Sequence, residues 1–362
     1  MKFEIILLLS FLCLSNAVSW KTVDQYNTPP TSRGSGSLLY HDDQLWIFSG
    51  FRNPFNNTFA NVFFNDTWSF DLSSKLWTQH FSTIVPNVRA FAQPTLIKSD
   101  HSHKMVIYGG VEYSPTFFNI LGDFWGLDLG TGQWSSLNST GPGARTGAAL
   151  WNDGDNKKTV YLFGGLGSDF QARNDLWKYS VKDNVWTQIY ANGASGNPPV
   201  RSQAHIGFSD LLNSVFMFSG DPNFNTAPLF DLWEFSLDDE SWTNISLTGV
   251  AIERVGGAFA VKKKMIVSAF GDRENTTGGC TNTFAETNNP VSTTHVIDKV
   301  TITNPAWAPI SISGGPLPLK NVMYTSGEDK LYVVGGYQWT NGSSSCLAAY
   351  NSEIYKLNLD SL

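Results

Sequence analysis

Charge and cysteine are both scarce in this chain of 362 residues. Charged side chains make up 15% of it and sum to −7. No run of lysine and arginine occurs, which argues against a general binder of nucleic acid or anionic membrane, since either needs a basic footprint. Three cysteines are present, too few for a disulfide scaffold. Beyond the first residues no apolar run approaches the roughly 20 residues that cross a bilayer as a helix, so no membrane span is expected. An enzyme's constellation is missing too. The six histidines are scattered, and the pair His101 and His103 sits in a turn, where solvation explains it more simply than metal binding. The glycine pairs lack the Lys-Ser/Thr that would follow in a phosphate loop. No cofactor, metal site or catalytic residue is expected.

Aromatics and glycine are abundant instead: 14% aromatic, with 13 Trp, 25 Phe and 32 Gly. That mixture suits an all-β protein with many turns. The chain opens with Lys2, an apolar run from Ile5 to Leu14 and then Ser15-Asn16-Ala17, the pattern of a signal peptide over 1–17 cleaved after Ala17. The mature protein, 18–362, is therefore expected to be secreted or lumenal, and monomeric. Cys13 leaves with the leader, so Cys280 and Cys346 remain for one disulfide in an oxidising compartment. Asn-x-Ser/Thr sequons stand at Asn56, Asn65, Asn138, Asn244, Asn275 and Asn341, about the number chance would supply. The signal makes use of some of them expected, and Asn56, Asn138, Asn244, Asn275 and Asn341 are the glycosylation candidates.

Self-comparison uncovers a repeat. The segments NDTWSFDLSSKLWTQ (65–79), GDFWGLDLGTGQWSSL (122–137), NDLWKYSVKDNVWTQI (174–189) and FDLWEFSLDDESWTNI (230–245) share an acid, an aromatic shortly after it, a short turn and a second Trp; NPAWAPI (304–310) ends a degenerate fifth. Upstream of each lies an apolar run ending in glycine, LWIFSG, MVIYGG, VYLFGG, VFMFSG and MIVSAFG, and a sixth, LYVVGG, follows at 331–336. Earlier still an arginine opens a strand of small residues: Arg33, Arg89, Arg145, Arg201 and Arg254.

This pattern resembles the kelch repeat, an apolar strand ending in a glycine pair, a variable loop and a spaced Tyr/Trp pair. The resemblance implies a four-stranded antiparallel blade per repeat and, for the whole chain, an all-β, six-bladed kelch-type β-propeller. Its units are expected at about 33–80, 89–137, 145–189, 201–245, 254–310 and 318–360 plus 18–24. The sixth unit stops at Leu362 before any outer Trp strand, while SWKTV at the other end carries a spare one. Trp20 precedes Trp77 by nearly the interval that separates Trp77 from Trp134. The last blade is thus expected to be closed by the N-terminal strand. Trp20, Trp77, Trp134, Trp186, Trp242 and Trp307 are expected to pack between blades, and Trp68, Trp125, Trp177 and Trp233 to be core residues of third strands.

In kelch propellers the loops between second and third strands emerge on one face, which usually binds partners. Here they are the long ones, 51–64, 111–121, 166–173, 221–229, 272–293 and 337–350, and they carry Tyr113, Phe118, Phe170, Tyr337 and Trp339 among other aromatics. An extracellular protein or glycan is the expected partner. Arg33, Arg89, Arg145, Arg201 and Arg254 are expected to ring the pore mouth. There they could hold an anion with Glu112 and Trp339 nearby, or pair with an acid of their own blade. A small-ligand enzyme of sugar mutarotase or epimerase type at that ring is the alternative. Cys280 and Cys346 fall in equivalent loops of neighbouring units, which brings them within reach of each other. His205 is expected to be structural, in or beside the channel wall.

Overall fold

The computed structural model describes residues 18–52, 62–99, 102–114, 117–223, 227–249, 255–271, 294–298, 305–310, 312–315, 319–341 and 346–362. The expected leader, Asn56, Arg254, Asn275 and Cys280 lie outside them. Among the described residues the only helical turn is the 3-10 segment Leu359–Ser361; the rest of the regular structure is strand.

Where the repeat count predicts six four-stranded blades, the structure has five. The first unit runs outward through Ser37–His41, Gln44–Phe48, Thr67–Asp71 and Leu76–His80. Its first hairpin turns on Asp42 and Asp43, both left-handed with φ of 46° and 57°, the backbone of a turn whose twist matches the strands it joins. The second, third and fourth units repeat the order. The degenerate fifth unit departs from it. There Thr248–Gly249 adds in parallel to Ala306–Ile310, making a five-stranded sheet. The Thr248 N–H and hydroxyl both donate to Pro305 O, at 2.9 and 3.1 Å, so backbone from the preceding linker occupies this outer edge. In the sixth unit Trp20–Val23 is the outermost strand, with Trp20 opposite Leu357 and Val23 opposite Ile354. The two ends of the chain therefore share one sheet.

The sheets are arranged as a β-propeller. Each inner strand neighbours that of the next unit, and the last, Met323–Gly327, meets Ser37–His41 of the first. A belt of backbone hydrogen bonds tightens this ring at one end. Ser35, Phe91, Gly147, Gln203, Gly256 and Asn321 are all left-handed, with φ between 53° and 64°. Phe91 N donates to Ser35 O, Gly147 N to Phe91 O and Gln203 N to Gly147 O, at 2.7–2.9 Å. Ser35 N closes the circle onto Asn321 O at 2.9 Å. Between the fourth and fifth units a side chain joins in: His205 Nε2 accepts from Gly257 N at 3.1 Å. This gives His205 the structural role that its position predicts.

The glycine pairs end the second strands where the next unit's backbone passes closest. A Cβ on Gly109, whose φ is +63°, would stand 2.2 Å from Arg145 O. Gly165 N donates to Arg201 O at 2.8 Å, and Gly336 N to Arg33 O at 2.9 Å across the closure.

The outer tryptophans pack as expected between units, and each meets a residue at or just beyond the end of the preceding unit's second strand. The ring pairs are Phe48 with Trp134, Tyr108 with Trp186, Phe163 with Trp242, Phe218 with Trp307 and Phe270 with Trp20, at 4.5–5.5 Å. Val334 shares a core cluster with Trp77 to complete the series. Trp242 is half-buried, and the other five are buried. A buried indole removes about 150–250 Å² from water, worth up to about 4–6 kcal/mol each. The fold is therefore held mainly by contacts between consecutive units.

Candidate functional site

Arg33, Arg89, Arg145 and Arg201 do recur at one position in each unit, but they do not face a ligand. All four are buried, with at most 3% of the residue exposed. Each guanidinium forks onto an aspartate of its own unit: Arg33 on Asp66, Arg89 on Asp123, Arg145 on Asp175 and Arg201 on Asp231. Nε and a further Nη1 donor of each go to backbone carbonyls. In the second unit Arg89 Nε meets Asn87 O at 3.1 Å and Nη1 meets Gly109 O at 2.9 Å. The expectation of an anion-binding arginine ring is thus corrected for these four. Their donors are consumed inside the blades, because a buried cation needs a partner for every proton it withdraws from water.

The aspartates are completed by the third-strand tryptophans. Trp68, Trp125, Trp177 and Trp233 donate Nε1–H to Oδ2 of Asp66, Asp123, Asp175 and Asp231 at 2.7–2.8 Å. They are half-buried rather than core residues, and their Asp-x-Trp spacing serves this bond. The sixth unit carries Leu319 and Glu353 in place of the Arg and Asp. There Asn351 Nδ2 takes over the carbonyl of Gly335 at 3.3 Å.

Burial pushes the Asp66 and Asp123 carboxyls up, but the hydrogen bonds and charge of Arg33 and Arg89, with the two indoles, outweigh it. Both are held below the usual carboxylate range. A second group responds at milder pH. His41 of the first unit lies 4.5 Å, ring to ring, from His103 of the second. Burial, His103 and Lys157 together hold its pKa below the ordinary imidazole value, against the opposing pull of Asp42. Both shifts are depressions, so the stability they contribute is present above the unfolded pKa values and lost as pH falls through the folded ones. Acid titration followed by circular dichroism and thermal melting is expected to show a small loss of stability starting below about pH 6.5, and a larger one below about pH 4. His80, whose pKa burial also depresses, contributes to the same loss, so His41→Gln should reduce only the first; a melting curve unaltered between pH 7 and pH 5 in both proteins would refute the assignment.

The long-loop face is built of ribbons. Phe51–Arg52 pairs with Val62–Phe63, His103–Ser114 with Phe117–Asp128 and Tyr337–Asn341 with Cys346–Tyr350. Many of their aromatics pack the ribbons together, as in the cluster of Phe51, Phe63, Phe91, Tyr337 and Tyr350 where the sixth and first units meet. Others do not. Phe118 and Phe170 are 43% and 48% exposed and lie 5.5 Å apart on different units. Tyr113 stands edge-on to Phe118 at 6.2 Å. Glu112 is half-buried on the same ribbon, opposite Asn119. Trp339 faces Ala348 in the sixth-unit ribbon, and its side chain lies outside the described residues, as does that of Cys346. Arg52, which the repeat pattern does not mark, stacks over Tyr350 at 5.8 Å.

The described sequons differ in availability. Asn65 and Asn244 are exposed. Asn138 donates its amide to Asn184 O at 2.9 Å while its Oδ1 caps Thr140 N at 3.0 Å, so a glycan there would displace a structural contact. Asn341 is described only in its backbone. Among the described residues no group of three His, Cys, Asp or Glu side chains converges, and no helix is long and apolar enough to cross a membrane.

A ring of antiparallel blades, a rigid Arg–Asp–Trp lock in four units and ribbons raised on one face define a kelch β-propeller, a protein-interaction module. The comparisons agree. The model of the KLHDC2/KLHL20/DRC7 Kelch-repeats domain matches residues 8–156. The chain is 26% identical over 234 residues to the Leucine-zipper-like transcriptional regulator 1 homolog of Drosophila melanogaster, covering 63% of this chain and 23% of that one. It is 24% identical over 193 residues to Kelch domain-containing protein 1 of Mus musculus, covering 47% and 45%. With Acyl-CoA-binding domain-containing protein 4 of Arabidopsis thaliana it shares 25% over 364 residues, 94% of this chain and 48% of that one. These similarities support a kelch-repeat assignment, and the chain spans from about a quarter to about half the length of these relatives.

Proposed function

We propose that this protein is a secreted, monomeric six-bladed propeller in which the five-stranded fifth sheet serves as the remaining blade. Its long-loop face binds an extracellular protein. The observation that carries this reading is the cluster of half-buried Tyr113 with exposed Phe118 and Phe170, contributed by two units and standing on a ring in which Arg33, Arg89, Arg145 and Arg201 are already paired. Exposed aromatics on a rigid support lose little entropy on binding, and residues of this kind dominate protein interfaces. A leader over 1–17, a Cys280–Cys346 disulfide and glycans on the exposed sequons belong to the same proposal. With Arg33, Arg89, Arg145 and Arg201 withdrawn, the mutarotase or epimerase alternative loses four of the groups it relied on.

The test is affinity capture from extracellular fluid with the mature protein, followed by binding measurements on the recovered partner. Phe118→Ser with Phe170→Ser is expected to weaken binding at least tenfold while leaving the melting temperature within a degree or two; Trp339→Ala examines the neighbouring ribbon. An unchanged affinity in the double variant would overturn the assignment of the face. Signal on a glycan array, with no protein partner, would redirect it to sugars.

A further inference from the structure

The outer strand of each unit leaves an edge of backbone donors and acceptors, and the linker preceding the unit supplies the cover. In the first unit Asn27 imitates a backbone: its Oδ1 accepts from Trp77 N at 2.7 Å and its Nδ2 donates to Trp77 O at 2.8 Å. In the second, Trp134 N donates to Ser82 Oγ at 2.9 Å. In the third, Asn138 Nδ2 donates to Asn184 O at 2.9 Å, and Gly141 packs so closely that a Cβ on it would stand 2.9 Å from that of Trp186. Thr248–Gly249 covers the fifth in parallel, and in the sixth Trp20 N donates to Ser313 O at 2.9 Å. The fourth unit breaks the series.

Its linker, 191–200, is drawn instead to buried Asn174 of the third unit. Asn174 Nδ2 donates to Pro198 O at 3.0 Å and its Oδ1 accepts from Gly193 N at 2.7 Å, while Asn192 and Asn197 bond its main chain. The outer strand Ser241–Ile245 is left with one such contact, from the Tyr190 hydroxyl to Glu240 O at its turn end. Trp242 lies opposite Phe235 as Trp77 lies opposite Phe70, so its N–H and C=O, and those of Asn244 two residues on, point outward. Among the described residues these four groups have no hydrogen-bond partner. The strand also lacks the features that protect exposed edges: it has no proline or lysine, and its pairing with Leu232–Ser236 has no bulge. At the turn that starts it, Asp238 and Asp239 are exposed and bond only Asn213 and Ser236 among the described residues. Neither 241–247 nor 191–200 contains a lysine or arginine.

We infer that the outer edge of the fourth unit is a second interaction site, distinct from the long-loop face, which takes an extended segment of a partner protein in parallel, with lysine or arginine at the segment's N-terminal end. Thr248–Gly249 supplies the geometry on the neighbouring unit, where Gly249 lies opposite Trp307, the counterpart of Trp242. A segment seated in the same way carries its preceding residues towards Asp238 and Asp239, and this sets their charge. The probe is the peptide Lys-Lys-Leu-Thr-Gly-Val-Ala-Ile, the sequence of 247–252 behind two lysines. Titrated into deuterated, ¹⁵N-labelled mature protein, it is expected to shift the Trp242 and Asn244 amide signals saturably, while that of Trp134, already covered, stays in place. The same peptide with glutamates for the lysines should bind at least about fivefold more weakly. Asn244→Pro removes one outward N–H at a position that an edge strand tolerates. It should bind the lysine peptide about fivefold more weakly than Asn244→Gln, which loses the same sequon but keeps the N–H. Absence of a saturable shift at Trp242, equal binding of the glutamate peptide, or equal affinity of the two folded variants would overturn the inference. So would movement of the same amides on dilution of the protein alone, which would give the edge to a second copy. The wild-type titration decides the matter even if Asn244→Pro fails to fold, and loss of partner binding at the loop face would leave it untouched.

Discussion

Removal of residues 18–24 is expected to abolish cooperative folding of the whole ring rather than to trim one edge. The deletion takes away the outermost strand of the sixth unit, which pairs from Trp20 to Val23 with Leu357 to Ile354. It also takes Trp20, which lies 5.2 Å from Phe270 of the fifth unit and shares a core with Val267, Leu331 and Leu357. The exposed edge left on Ile354–Asn358 would be a template for aggregation. Closure joins the chain ends, so every other unit depends on it through its neighbour. Trp20→Ala alone should cost about 3–5 kcal/mol. Guanidinium unfolding monitored by tryptophan fluorescence is the measurement, and a deletion variant with an unchanged midpoint and a single sharp transition would refute closure.

Arg145→Ala is expected to lower stability by about 3–5 kcal/mol, the cost of stranding a buried charge. This pair is the most enclosed of the four, with side-chain exposures of 3% for Arg145 and 7% for Asp175. The guanidinium reaches Asp175 at 2.8 and 3.1 Å and Gly164 O at 2.9 Å, and it also meets Pro142 O. Lysine has the charge but not the planar fork, so Arg145→Lys should recover less than half of the loss. Asp175→Asn should be damaging too, and the double variant should be milder than the sum of the two, the mark of a coupled pair. Partner affinity per folded molecule should be unaffected. A large binding defect in a fully stable Arg145→Ala protein would return the arginines to the role of ligand contacts.

Much of the scaffold could be read from spacing because each repeated residue performs the same local task in each unit. In five of the six units an aromatic at the end of the second strand meets the next unit's outer Trp, so a count of tryptophans located the missing strand at Trp20. The Arg and Asp-x-Trp elements were visible as separate signals. Their joining was not, because Arg145 and Asp175 are 30 residues apart and no local periodicity connects them. The same limit hid Gln93 and Tyr324, which lie on different units and each bond backbone of the fourth unit, at Ala204 and Ile206. The fifth unit misled for a different reason. Its weak repeat marks an outer strand but not the parallel partner Thr248–Gly249, which comes from the linker before it.

The sequence alone determined that this is a repeat of β units needing neighbours to cover them, since apolar runs, turns and spaced tryptophans are properties of consecutive residues. Tertiary structure decided which polar groups remain free to act. Closing the ring buried the arginines, whose charge requires their own aspartates once water is excluded. It left Phe118 and Phe170 in solvent, because exposure depends on what the rest of the chain covers.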